Sequence, residues 1–239
     1  MCGIFGAFSP SGLDEFRCAR ALRLLDHRGP DSRKLQMHRN SRVALGHTRL
    51  KVLDLSNEAN QPFASDCGNY EIVYNGEIYN FRELRNEISN RFRFRTTSDT
   101  EVLLNLYRLH GPDMLEKLNG MFAFAILDRN QDCIFLARDR FGIKPLYYAK
   151  QGQTFTFSSE IKPILHMADD ARPDERMIAT YLATSHCDFR EETFFEGVRQ
   201  LPAGCKMRFD LGDGKENVSR WYSLEEAVAH KDLPACDIK

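Results

Sequence analysis

Cys2 follows the first residue of the chain in the run Met1-Cys2-Gly3-Ile4-Phe5-Gly6-Ala7-Phe8. Removal of Met1 would make it residue one, and a thiol there carries its own base. The freed α-amino group, with an ordinary pKa of about 7.7 to 8.0, takes the thiol proton directly or through one water. Gly3 and Gly6 let backbone come close to a substrate without a Cβ in the way. An isolated cysteine is more often a small buried hydrophobe, so other residues must decide. Arg49 has a planar fork suited to bidentate capture of a carboxylate, although an arginine within a strand pattern usually snorkels to solvent, the reading that spacing favours. The Asn75 amide and the Gly76 N–H, in a strand-to-helix turn, can converge on one oxygen as an oxyanion hole does, with Glu77 beside them; the rival reading is an ordinary Asn-Gly hairpin. Asp99 is either a first-turn carboxylate favoured by a helix dipole or a ligand for a substrate ammonium.

The elements that must hold these residues follow from patterning. Ile4, Phe5, Ala7 and Phe8 predict a buried strand rather than a secretion signal, since no basic region precedes them. Ser11 with Asp14 predicts a capping box, and Phe16, Ala19, Leu22 and Leu25 recur near helical spacing with one face toward the core. Asp26-His27-Arg28-Gly29-Pro30-Asp31 is a charged loop, suited to folding over a site, and residues 32–42 read as polar and exposed. Strand character covers residues 43–50 and 52–55, with His47 embedded. Glu71-Ile72-Val73-Tyr74 is a short strand running into the Asn75-Gly76 turn, with a helix from about Asn80. Ser98 and Glu101 are spaced as a second capping box, for a helix that Gly111-Pro112 ends. Residues 121–127 are apolar on both faces, which predicts a doubly covered central strand, with residues 133–137 as its hairpin neighbour. Residues 138–148 mix charge with aromatics as a charged turn or a partner-facing loop. Short helices are expected from Ser159 and from Glu175, the latter introduced by Pro173-Asp174, and a closing hairpin before Trp221. Residues 224–239 read as an unfinished helix.

Composition excludes several classes. With 42% hydrophobic and 28% charged residues the 239-residue chain can bury a sizeable core. A formal net charge of -1 gives no sign of a nucleic-acid or anionic-membrane partner. No apolar run approaches the roughly 20 residues of a membrane-spanning helix, and the cytoplasm is the expected compartment. Seven scattered cysteines, without a C-x-x-C pair, argue against a disulfide framework and a structural zinc site, and adjacent His186-Cys187 is not spaced for metal ligation.

Taken in order, the pieces resemble the N-terminal glutaminase domain of glutamine-hydrolysing asparagine synthetases, class II glutamine amidotransferases of the N-terminal-nucleophile (Ntn) hydrolase superfamily. The resemblance runs from Met1-Cys2-Gly3-Ile4-Phe5-Gly6 through His27-Arg28-Gly29-Pro30-Asp31, Gly46-His47-Thr48-Arg49-Leu50, Gln61-Pro62, Asn75-Gly76-Glu77-Ile78-Tyr79-Asn80 and Ser98-Asp99-Thr100-Glu101. It continues in Gly120-Met121-Phe122-Ala123-Phe124, residues 137–148, Ser159-Glu160 and Leu201-Pro202-Ala203-Gly204. It implies an α+β fold, a four-layer αββα sandwich of two mainly antiparallel sheets. It also implies Cys2 as nucleophile on the glutamine side-chain amide and Asn75 and Gly76 as oxyanion donors. Arg49 and the segment Leu50, Lys51, Val52 and Leu53 would hold the α-carboxylate, with Glu77 and Asp99 on the α-ammonium, so resemblance reverses the reading of Arg49 from spacing. Lys51 stands where family members more often carry a small residue.

The implied domains are a glutaminase unit over residues 1–210 and a closing strand and linker over 211–239. No Ser-Gly-Gly-x-Asp-Ser phosphate-binding loop occurs in the sequence. The expected partners are therefore L-glutamine and a synthetase domain in cis or trans, with no cofactor in this domain and ATP and Mg confined to the synthetase. A homodimer is left open. The 138–148 loop and Met121 would face the synthetase and the ammonia passage. Relatives that amidate sugars or antibiotic precursors look alike here, and a non-catalytic glutamine-binding module is the reading from another class, should Met1 be retained.

Overall fold

The computed structural model describes residues 1–186 and 190–229. Its first strand, β1 (Gly3–Phe8), is buried along its whole length and pairs antiparallel on both sides. With β2 (Ser32–His38), β3 (Val43–Arg49), β8 (Tyr147–Gln151), β9 (Thr154–Ser158) and β10 (Val198–Gln200) it forms a six-stranded sheet of order β10-β8-β9-β1-β3-β2. The second six-stranded sheet, of order β12-β11-β7-β6-β5-β4, contains β4 (Phe63–Ala64), β5 (Tyr70–Ile78), β6 (Gly120–Asp128), β7 (Cys133–Arg138), β11 (Cys205–Asp210) and β12 (Glu216–Arg220). The strand pairs are antiparallel throughout.

Alternation along the strands builds the layers. On β6, Ala123, Ala125 and Leu127 face the core between the sheets, where Ile4, Val43 and Leu45 meet them. Phe122, Phe124 and Ile126 face the opposite way, against α2 (Phe81–Ile88) and α3 (Asp99–His110). On β1, Phe5 and Ala7 turn outward onto Cys18, Ala21 and Leu22 of α1 (Glu15–Arg23). The third outer group, Ala149, Ile164 and Val198, seats α4 (Ile161–Met167) on the same sheet. The result is the four-layer αββα sandwich of the Ntn fold. At the periphery lie α5 (Glu175–Thr184), capped by Asp174, and α6 (Leu224–Ala229).

Several local expectations change. The α1 cap is Asp14 alone, accepting from the N–H groups of Phe16 and Arg17, and Phe16 points to solvent. Residues 32–38 are an edge strand registered against β3, their polar side chains suiting an edge, while residues 52–55 form no strand. Ser98 caps α3 through the Thr100 N–H, but Glu101 reaches back to the N–H groups of Arg95 and Thr96 rather than completing a box. Asn75-Gly76 makes no turn: β5 runs through both to Ile78, with Gly76 opposite Phe122 on β6. A Cβ at Gly76 would lie 2.4 Å from the Met121 carbonyl oxygen, so the glycine serves close strand approach rather than a bend. Cys187 and residues 230–239 lie outside the described residues.

The inter-sheet core is anchored by Phe209 on β11, stacked on Phe155 of β9 with ring centroids 4.1 Å apart at 9°. Phe209→Ala is expected to destabilise the fold by about 3–5 kcal/mol. Urea unfolding monitored by circular dichroism checks this; a loss under about 1 kcal/mol would show that the layers do not depend on this stack.

Candidate active site

β1, an interior strand of the first sheet, begins one residue after Cys2, and the segment 26–31 fastens that end. Arg28 Nε donates to the Cys2 carbonyl at 3.0 Å and its Nη1 to Glu160 at 3.1 Å, a carboxylate that also takes His27 at 2.7 Å. Gly29 packs flat on β3: a Cβ there would sit 2.3 Å from the Thr48 carbonyl. Asp31 closes the clamp, its N–H on the Arg49 carbonyl at 3.0 Å and its carboxylate accepting from the Lys51 N–H at 2.7 Å. The charged loop of the sequence thus lies against the chain end and the turn after β3.

Cys2 Sγ rests against Leu50, donating to its carbonyl at 3.6 Å and accepting from its N–H at 3.4 Å. Burial pushes the thiol up, opposed by the Leu50 contact and by Arg49. Burial outweighs both, which favours the protonated thiol.

The sulfur opens onto a cavity of about 220 Å³ lined by Arg49, Asn75, Gly76, Glu77 and Asp99, with Leu50, Val52 and Leu53 along one wall. Of the residues singled out in sequence, Lys51 alone is not on this lining; its ammonium bonds Asn57 at 3.1 Å. Arg49 does not snorkel. It is 6% exposed, and its Nη1 donates to the Ser56 carbonyl at 2.6 Å and Asn60 Oδ1 at 2.8 Å, while Nη2 donates to the Asp54 carbonyl. The guanidinium therefore shapes the 50–56 loop as well as facing the cavity. Asp54 ties that loop to the approach to α3, accepting from the Thr97 N–H at 2.8 Å and the Ser56 N–H at 2.8 Å. Burial opposes ionisation of Asp54, but these bonds together hold its carboxyl well below the usual range.

Strand periodicity explains the donors on β5. The N–H of Tyr74 goes to Gln61 Oε1 at 2.6 Å and that of Ile78 to Asp99 Oδ2 at 3.1 Å, both away from β6. Gly76, midway between them, directs its N–H to the same side, because successive amides alternate along a strand. Its opposite number Phe122 is turned away toward Asp139, to which it donates at 3.1 Å and from whose N–H it accepts at 2.8 Å. β4 pairs only with Glu71 and Ile72 and so leaves the Gly76 edge uncovered. Asn75 is 1% exposed, and its Nδ2 has no partner among the described residues. A buried amide donor without an acceptor is unfavourable unless a ligand completes it.

Asp99 is carried in by the first turn of α3 and fixed by the Tyr74 hydroxyl, which donates to Oδ2 at 2.8 Å. Burial pushes this carboxyl up, against the pull of the bonds from Tyr74, Ile78 and Thr100. Tyr74, Gln61 and Asp54 were not singled out from sequence as site residues. A hydroxyl on the buried face of a strand and an Asp two residues before Ser56 are weak signals, since each acts only through partners distant in the chain. Among the described residues no group of three or more His, Cys, Asp or Glu is placed to hold a metal ion.

The sandwich is that of the Ntn amidotransferases. The glutamine phosphoribosylpyrophosphate amidotransferase of Bacillus subtilis, solved with ADP and GMP, shares it over 92% of this chain and 49% of its own, at TM-score 0.67 and 20% identity. Residues 1–222 match the family described as a glutamine amidotransferase domain, and the chain belongs to that family. It is 34% identical over 238 residues to asparagine synthetase [glutamine-hydrolyzing] 2 of B. subtilis, covering 95% of this chain and 31% of the relative. It is 39% identical over 246 residues to a putative asparagine synthetase [glutamine-hydrolyzing] 2 of Methanocaldococcus jannaschii, covering 94% and 47%. The chain thus spans less than half the length of these curated relatives. Among the described residues no helix is long and apolar enough to cross a membrane.

His47 braces the site from below, its Nε2 donating to the Tyr74 carbonyl at 3.0 Å, which leaves Nδ1 bare. Burial drives its pKa from the ordinary 6.5 down to about 3. The unfolded chain takes up a proton here between those values and the native state does not, so stability is full above about pH 6.5 and declines as pH falls toward about 3. In urea melts across that window, His47→Gln is expected to flatten the slope of unfolding free energy against pH; an unchanged slope would contradict a neutral buried imidazole.

Proposed function

We propose that this chain is a glutaminase domain that hydrolyses the side-chain amide of L-glutamine. Cys2 Sγ attacks the amide carbon as its proton passes to the α-amino group freed by removal of Met1. The resulting oxyanion accepts from Asn75 Nδ2 and the Gly76 N–H, donors already placed before substrate arrives. The amine then protonates the departing ammonia, and water cleaves the thioester to give glutamate. Arg49 and the backbone of Leu50, Val52 and Leu53 take the α-carboxylate, while Glu77 and Asp99 take the α-ammonium. Lys51, turned to Asn57, serves through its backbone anchor on Asp31. The observation that carries the reading is the buried, partnerless Asn75 amide in the cavity that Cys2 lines.

The ammonia is destined for aspartate in an ATP-dependent synthetase domain, supplied in cis or trans. The names of the relatives and the fraction of their length matched support this. Residues 1–210 would form the glutaminase unit and 211–239 the closing strand and linker. ATP and Mg would belong to the synthetase, and the cytoplasm is the proposed compartment.

Mass spectrometry of the purified chain, together with a glutamate-release assay, tests the reading. Chain lacking Met1 should release glutamate, Cys2→Ala should release none, and Asn75→Ala should lose about 100- to 1000-fold in kcat. Undiminished release by Cys2→Ala would rule out this nucleophile. Glutamine binding without turnover by processed wild type would favour a sensing module.

A further inference from the structure

Lys144 is a charged side chain in an unusual setting. It lines the cavity beside Met1, Cys2 and Met121 and is 6% exposed, yet none of the ion pairs among the described residues includes it. The side-chain hydrogen bond it makes runs from Nζ to Met1 Sδ at 3.5 Å, and a thioether is a weak acceptor. Buried charges are ordinarily paired, so this ammonium has been left without the compensation such groups receive.

Its backbone is fixed. Its backbone N–H donates to Asp139 Oδ2 at 3.0 Å and its carbonyl accepts from Arg138 Nε at 2.8 Å. Arg138 further holds the carbonyls of Gly142 at 2.6 Å and Leu201 at 2.7 Å, so the whole corner from 138 to 144 is fixed from inside. The side chain projects from this rigid corner onto the one residue whose removal the proposed chemistry requires.

Removing Met1 takes away the Nζ partner and creates a second nitrogen base, on Cys2, in the same cavity. Most of the other charged groups around Cys2 are already engaged. From the 26–31 segment, Arg28 is paired with Glu160 at the start of α4. From β3, Arg49 is enclosed by carbonyl oxygens, with Asp54 and Asp31 near it. From α3, Asp99 is bound by Tyr74 and Ile78, and Glu77 of β5 stands on the same wall of the cavity. Lys144 is the cation left without an acceptor of comparable strength.

We infer that Lys144 keeps the α-amino group of Cys2 in its neutral form once Met1 is gone, so that the amine can act as a base at neutral pH. Two ammonium groups that share a partly desolvated cavity disfavour each other, and an α-amine is by its ordinary range the weaker base of such a pair. Lys144 acts through Cys2 and is a positioning residue, not a catalytic one. The inference rests on the glutaminase reading for its purpose but not for its measurement.

The test is a titration of the Cys2 amine by NMR after isotopic reductive methylation, alongside the pH profile of kcat/KM for glutamine, on chain shown by mass spectrometry to lack Met1. Lys144→Met should raise the amine pKa by about one unit, and move the acid limb of the profile upward by the same amount. Activity is then about tenfold lower at pH values below the limb and close to wild type above it. Lys144→Arg, which keeps the charge, should leave both near wild type. Should Lys144→Met fail to fold, Lys144→Gln carries the same expectation. Coincident amine titrations in wild type and Lys144→Met, or an equal shift in Lys144→Arg, would overturn the inference. A lowered amine pKa in a wild type that lacks glutaminase activity would support it while removing the glutaminase reading.

Discussion

Everything at the site depends on the pairing of the first strand in the middle of its sheet. Chain ends fray unless tied down, and β1 is held along both edges, by β3 from Gly3 opposite Thr48 and by β9 from Phe5 opposite Ser158. Ile4 adds bonds to Ser159 at 3.0 Å in each direction, from its N–H to the hydroxyl and from the Ser159 N–H to its carbonyl. A nucleophile next to the chain end is useful only if that end has one position. Here the backbone ladder supplies it, and the Arg28 bond to the Cys2 carbonyl extends the constraint one residue beyond the strand.

The second sheet contributes a different kind of order. Its β5 is regular through the two residues that a local reading takes for a turn, because β6 supplies a full-length partner and Gly76 lets that partner approach. Tertiary pairing overrides the Asn-Gly turn preference. The donors on β5 are thus set by a ladder and by the facing bonds of Phe122 to Asp139, rather than by a flexible bend. Rigid placement of this kind is what a site needs when its donors must not reorganise as charge develops.

The residues that the cavity gathers are legible in the sequence largely through their company. Cys2 follows Met1 in an apolar run, and the double apolar faces of residues 121–127 foretell a strand covered on both sides, as β6 is. Arg49 and Asp99 were ambiguous from spacing, since burial among carbonyls or against a tyrosine hydroxyl depends on segments many positions away. The α1 cap and the edge strand β2 were misjudged because polar residues near chain reversals and polar residues on a sheet edge look the same in one dimension. Lys144 offered no local sign at all: within a charged loop, its burial follows only from the Arg138 and Asp139 bonds that fold the corner inward.

The shortness of β4 has a consequence of its own. At two residues it covers β5 only at Glu71 and Ile72, and beyond it the N–H and carbonyl of Tyr74 are taken by the side chains of Gln61 and His47 before the edge reaches Gly76. Most sheets hide or blunt such an edge because it invites another strand. Here two side chains, Gln61 and His47, stand where a longer strand would have paired with Tyr74, and the cavity takes that place at Gly76. The length of one minor strand thus sets where the sheet edge passes from backbone pairing to side chains and then to the cavity.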